Sequence, residues 1–361
     1  MAVVAAPEVE RLHEVDHAAY TLWVFAVPML AATLIEAPIA LLSDRWPRRR
    51  VLVGGLLGLG FALGLCALAH SAWVLAVGLS LAGASSGVAC AAAQSELVST
   101  FPGGAQRAMS RWIALAAAGD ALTPLAVAAA LWVGGTHRTT FGVLAAATVA
   151  SALLVLRRAP AQGAAGTDEE PELPLMAAVR TAAKRPRLWL LLYAASTCIL
   201  LDEVVVGMAA LRLHELAWSP SAIAAALSAH SCGGVVGALW NERLLGRWSP
   251  RRLMACSALG SIGCLGLFIV APSAPLACAA LFLLGICSAP HYPLIQASAY
   301  ELSPNQPGVV NALASALNFL ELLLPLAVGA LAERHGLHAA LASLAFEPLF
   351  VLLVALVLRP R

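Results

Sequence analysis

Six carboxylates stand inside stretches of this chain that are otherwise apolar: Glu36, Asp120, Asp202, Glu203, Glu321 and Glu347. A charge at the centre of a bilayer costs about 2.5–3.5 kcal/mol on insertion scales, so each such acid is by default a functional group or one half of a pair. Asp120 and Glu321 each precede a proline by four residues, Pro124 and Pro325. Proline offers no N–H to the carbonyl four residues back, and here that carbonyl belongs to the acid itself. A bend, a free carbonyl and a carboxyl then fall at one height, the combination found at ion and substrate sites near a membrane midplane. The plainer alternative is an acid satisfied by a neighbouring amide or hydroxyl, such as that of Asn318. Asp202 and Glu203 point about 100° apart on a helix, so at most one shares a face with a given partner, and desolvation would let one of them hold a proton. Glu36 precedes Ala37-Pro38 and either faces a cavity or braces a nearby arginine.

Among the uncharged polar groups, Gln94 and Gln296 are suited to hydrogen-bonding a substrate. His230 and His291 are lone histidines, more often satisfied core residues than ligands, although His291 lies in Pro290-His291-Tyr292-Pro293, where two prolines make the backbone irregular. The run Gly83-Ala84-Ser85-Ser86-Gly87 offers small residues for close helix contact, which is packing and not chemistry. A membrane-embedded enzyme would need a nucleophile or metal cluster, such as G-x-S-x-G or H-E-x-x-H, and neither is expected. No catalytic residue, metal site or cofactor is expected. All eight cysteines fall within apolar runs and read as small buried hydrophobes, not as disulfides or ligands.

The elements that must position these groups cross a membrane. Only 12% of the 361 residues are charged, 60% are hydrophobic and the mean hydropathy is +0.83, where a soluble chain carries about 25% charged residues. The apolar runs are about twice the length of a barrel strand and do not alternate, which points to helices. Eleven spans are expected, at 18–43, 51–70, 72–99, 107–133, 139–157, 188–211, 219–245, 252–271, 274–302, 308–332 and 337–358, with a polar linker over 158–187. The N-terminal 17 residues lack the basic start and apolar core of a signal peptide.

Charge sets the orientation. With the loop after the first span in the cytoplasm, 18 of the 22 Lys and Arg residues fall on the cytoplasmic side and only Arg11, Arg138, Arg212 and Arg334 opposite. That asymmetry follows the positive-inside rule and places the C-terminus in the cytoplasm. The net charge of +2 gives no reason to expect nucleic acid.

The chain also repeats. A shift of 202 residues lays Arg45-Trp46 on Arg247-Trp248, Arg49-Arg50 on Arg251-Arg252 and Gln94 on Gln296. One residue of slippage later, Pro124-Leu125-Ala126-Val127 meets Pro325-Leu326-Ala327-Val328, and Asp120 meets Glu321. The organisation is therefore a bundle over 1–157 with five spans, the linker 158–187, and a bundle over 188–361 with six. Span 188–211 has its counterpart before Met1, so the expectation is a 6 + 6 design whose first helix would be encoded upstream.

Ala40-x-x-x-Asp44-Arg45-x-Pro47-Arg48-Arg49 resembles the loop signature of the major facilitator superfamily, G-x-x-x-D-R-x-G-R-R. Two six-helix halves, a long cytoplasmic linker and a worn second copy of the loop fit the same resemblance. It implies an all-α membrane fold of two pseudo-symmetric bundles working by alternating access, with Asp44, Arg45, Arg48 and Arg49 as a gating loop. The sequence departs from the pattern at Ala40, Pro47 and Gly246, carries no arginine in span 72–99, and keeps only Gly119-x-x-x-Thr123-Pro124 of the motif that drug exporters carry in helix five.

The expected protein is a monomeric secondary transporter in the plasma (inner) membrane, not an enzyme. Its expected partners are the lipid bilayer, protons and a small solute, neutral or cationic because spans 188–358 hold no mid-membrane base to balance an anion. A membrane-embedded enzyme, or a sensor or scaffold on the same fold, is the alternative.

Overall fold

The structure, a computed structural model, describes residues 34–35, 38–39, 46–102, 104–132, 136–157, 175–303 and 306–357. Most of the first expected span, Glu36, Asp44, Arg45 and most of the linker lie outside these residues. The described residues form helices and no strand. In chain order they are α1 (Arg48–Ala67), α2 (Ala72–Thr100), α3 (Gly104–Trp132), α4 (His137–Arg157), α5 (Leu175–Ala183), α6 (Pro186–Thr197), α7 (Val205–Glu215), α8 (Pro220–Leu244), α9 (Pro250–Val270), α10 (Ala274–Ser288), α11 (His291–Leu302), α12 (Pro307–Ser315), α13 (Asn318–His335), α14 (Leu337–Ser343) and α15 (Phe346–Val357). A single π-helical turn, Leu200–Val204, joins α6 to α7.

Nine stretches among the described residues are long and apolar enough to cross a membrane, and each falls on an expected span. The expected span 107–133 is occupied by α3, 29 residues long. Where spans start, the cause is local. Ser219 and Ser249 each sit before a proline at the first helical position and accept an N–H of the first turn, which stops α8 and α9 at their N-termini.

The chain packs as two compact units. The first takes residues up to Glu96, Thr123–Thr181 and Asn305–Ala316. In it α1 lies against α2 and α4 through small residues: Gly55 meets the Ala89 backbone, Gly58 meets Ser85 and Gly60 meets Val149. Arg49 caps the end of α4, donating to the Val155 and Leu156 carbonyls at 2.7 Å each, while Arg48 donates to Ser95 O. Asn311 of α12 donates to Ser95 Oγ of α2.

The second unit takes Leu97–Leu122, Ala182–Pro304 and the chain from Leu317. Its core is built from Leu201, Val205, Leu213, Leu265, Phe268, Leu281, Leu284 and Leu341, all buried. Here α8 and α10 cross without side chains between them. A Cβ on Gly233 would strike Phe282 O, one on Gly237 would strike Ile286 O, and one on Gly285 would strike His230 O. Only glycine allows backbones so close, the spacing Gly233-x-x-x-Gly237 being the small-residue pattern of membrane helix pairs.

Four of the six second-half spans are interrupted: at Leu200–Val204, at Ala289–Pro290, at Ala316–Leu317 and at Leu344–Ala345. The cysteines are less buried than expected, with only Cys66 and Cys198 inside and Cys232 and Cys256 exposed.

Candidate functional site

The interruptions gather the polar groups of the second unit. Pro290 and Pro293 withhold two N–H groups, the ladder between α10 and α11 fails, and His291 becomes the first residue of α11. Pro348 does the same for α15, leaving Glu347 in that helix's first turn. Both side chains are only 1% exposed, and His291 Nδ1 stands 2.9 Å from Glu347 Oε1. His291 is therefore paired, contrary to its reading as a lone histidine.

The other carboxylate oxygen, Oε2, accepts the backbone N–H of Leu201 at 2.7 Å, inside the π turn. There Val205 N–H bonds back five residues to Leu200 O, which frees the carbonyl of Leu201. His230 Nε2 takes that carbonyl at 3.1 Å, and His230 Nδ1 lies 3.2 Å from Leu281 O. Both partners of His230 are carbonyls, so a neutral ring satisfies one and a protonated ring both. Leu201 is thus held at both backbone groups by side chains from α15 and α8. His291 Nε2 is buried and makes no hydrogen bond, with the Ser257 carbonyl of α9 as its neighbour.

Asp202 and Glu203, the next residues of the π turn, are exposed while Leu200, Leu201 and Val204 around them are buried. Asp202 lies within electrostatic range of Glu347, His291, Glu203 and Asp120. Asp120 is exposed on α3, which runs unbroken through Pro124. Glu321 lies in the first turn of α13 and is half-buried, with Pro325 inside the same helix and Asn318 at its start. Gln296 is buried on α11, and Gln94 is half-buried on α2 in the first unit. Asp202, Glu203, His291, Asp120 and Glu321 therefore belong to one unit, and Gln94 to the other.

A second polar cluster of the same unit was not foreseen. Arg111 Nη2 pairs with Glu242 Oε1 at 2.6 Å and its guanidinium lies 4.9 Å over the Phe101 ring, while Asn241 donates to Ser110 Oγ at 2.8 Å. With Arg107, Leu239 and Arg243 this pair lines a cavity of about 430 Å³. Contrary to expectation, two stretches do match the enzyme patterns in letters. Gly83-Ala84-Ser85-Ser86-Gly87 reads G-x-S-x-G, yet it lies mid-helix in α2 with Ser85 against Gly58, where a nucleophile needs a strand-to-helix turn. His13-Glu14-Val15-Asp16-His17 reads H-E-x-x-H and lies outside the described residues.

A sequence model described as the Major Facilitator Superfamily matches residues 1–206 and again 195–361, one match to each half. The chain belongs to the major facilitator superfamily. The superfamily fold is seen equally in two solved structures. A variant of the E. coli fucose:proton symporter FucP has a TM-score of 0.79 at 14% identity, over 93% of this chain and 90% of that one. A structure of FucP in the outward conformation has a TM-score of 0.77 at 15% identity, over 98% and 94%. No curated protein sequence matches. Membership makes the chain an integral membrane protein of a transporter family. Glu347 and His230, which the repeat and the proline rule did not select, join its polar network. Their signals were an acid followed by proline in the apolar run 337–357, and a histidine just before Gly233-x-x-x-Gly237.

Proposed function

We propose that this superfamily member is a secondary active transporter that moves a small solute by alternating access, coupled to protons. The observation that carries the reading is the set of ionisable groups at the interruptions of second-half spans, Asp202 and Glu203 exposed in the π turn and His291 with Glu347 buried behind them. Helices broken near the midplane expose backbone and side-chain groups to a passing ion or solute. The printed name of FucP, a fucose:proton symporter, pairs a small solute with a proton, and the same class is proposed here. The solute is neutral or cationic, since the acids have no buried base of matching number. Residues 1–157 and 188–361 act as the two halves, with linker 158–187 and the C-terminus in the cytoplasm of a plasma-membrane monomer. Glu36, Asp120, Asp202, Glu203, Glu321, Gln94, Gln296, His291 and Asn318 are proposed as substrate or proton groups, and the Asp44 to Arg49 loop as the gate.

The test is flux in proteoliposomes under an imposed pH gradient, with the solute first found by a thermal-shift screen over compound classes. Uptake that follows the gradient and stops when an uncoupler collapses it is expected. Asp120→Asn or Glu321→Gln should remove the pH dependence. Gradient-independent flux would refute the coupling, and pH dependence unchanged in both variants would remove these two acids from the mechanism.

A further inference from the structure

Glu347 is the one Asp, Glu, Lys or Arg between Leu337 and Val357, and its carboxyl is divided between two other elements. Oε1 faces His291 Nδ1 and Oε2 faces an N–H donor, the Leu201 amide. With the carboxyl ionised, Oε2 accepts from the amide, Oε1 faces the ring, and the pair holds one proton, on Nδ1. It has room for a second. His291 Nε2 is buried, makes no hydrogen bond and has a carbonyl for a neighbour.

We propose that the His291–Glu347 pair is a buried proton-binding site that controls the π turn at Leu201, so that uptake of one proton re-aims the exposed Asp202 and Glu203 about the helix axis. The proton comes from water through exposed Asp202, forms one new N–H or O–H bond on the pair and takes its net charge from −1 to 0. Neutralising the carboxylate weakens its hold on the Leu201 amide, because charge-assisted hydrogen bonds are about twice as strong as neutral ones. A π turn contains one residue more than an α turn. Closing it rotates the preceding segment by about 100° against the following one, which is the angle separating Asp202 from Glu203. Around the turn, Cys198 lies in electrostatic range of Glu347, Asp202 and Glu321, Asp202 in range of Asp120 on α3, and His230 on α8 holds the Leu201 carbonyl.

Proton binding here stands without the transport reading; its role in coupling rests on it. The experiment is infrared difference spectroscopy of the full chain in lipid nanodiscs on stepping from alkaline to acidic pH, with hydrogen exchange of the peptide covering Leu201 measured alongside and corrected for intrinsic rate. A protonated-carboxyl band should appear in the wild type, lose one component in Glu347→Gln, show that component shifted in Glu347→Asp, and keep it in Asp202→Asn. Exchange at Leu201 should rise on acidification in the wild type and be indifferent to pH in Glu347→Gln. His291→Gln, which keeps a hydrogen-bonding side chain, supplies a second variant that should also blunt the band. A band unchanged in Glu347→Gln, or wild-type exchange at Leu201 that ignores pH, would overturn the proposal. Gradient-driven flux in proteoliposomes separates the two readings: a titrating Glu347 in a chain without flux sinks transport alone, and full pH-dependent flux in Glu347→Gln sinks the coupling role alone.

Discussion

The two halves of the repeat place different residues at equivalent positions of their helices. Helix α2 runs unbroken from Ala72 to Thr100, while its counterpart breaks into α10 and α11. At the break the second half has Pro290, His291 and Pro293 where the shift of 202 gives Val88, Ala89 and Ala91. Helix α4 is likewise continuous and its counterpart divides into α14 and α15; at Glu347 the first half has alanine in either register, Ala145 or Ala146. Proline opened the ladder on one side of the repeat, and the opened ladder admitted a buried acid and histidine there. Helices α2 and α4 kept their ladders and their apolar faces. The lesson is that pseudo-symmetry of backbone does not carry symmetry of chemistry.

That contrast can be broken most forcefully at Glu347. Glu347→Ala strands His291 and the Leu201 amide in the core and should cost about 3–5 kcal/mol, read from reversible unfolding in mixed micelles. Ala146→Val on the first-half side should shift the midpoint far less. Next come the glycines. Gly237→Ala drives a Cβ into Ile286 O and should cost about 1–3 kcal/mol. Gly54→Ala in α1, with nothing within 4 Å, should instead stabilise by about 0.5–1 kcal/mol through helix propensity. The smallest effect belongs to Arg111→Ala: its pair with Glu242 is half exposed and should be worth about 0.2–1 kcal/mol, fading as salt is raised in the same assay.

The fold was legible because hydropathy, charge asymmetry and the repeat are long-range patterns that survive local irregularity. Every described span lies where an apolar run placed it. The site was legible in part. The proline rule rightly marked a disturbed backbone at His291, but it pointed to Pro124 and Pro325, and α3 and α13 continue through both. The breaks fall elsewhere because a proline inside a helix can be tolerated when the freed carbonyl finds another partner. The π turn had no sequence signal of its own. Its register depends on Glu347, 146 residues away, and on His230, which the sequence alone cannot bring beside it.

The crossing of α8 and α10 has a mechanical consequence. With three glycines pressing backbone on backbone, neither helix can slide or turn without the other. His230 rides on one and its acceptor Leu281 on the other, so this jaw of the clamp on Leu201 is riveted in place. The Glu347 jaw is mounted on a short helix behind a two-residue break, and the freedom of the device is confined to that side.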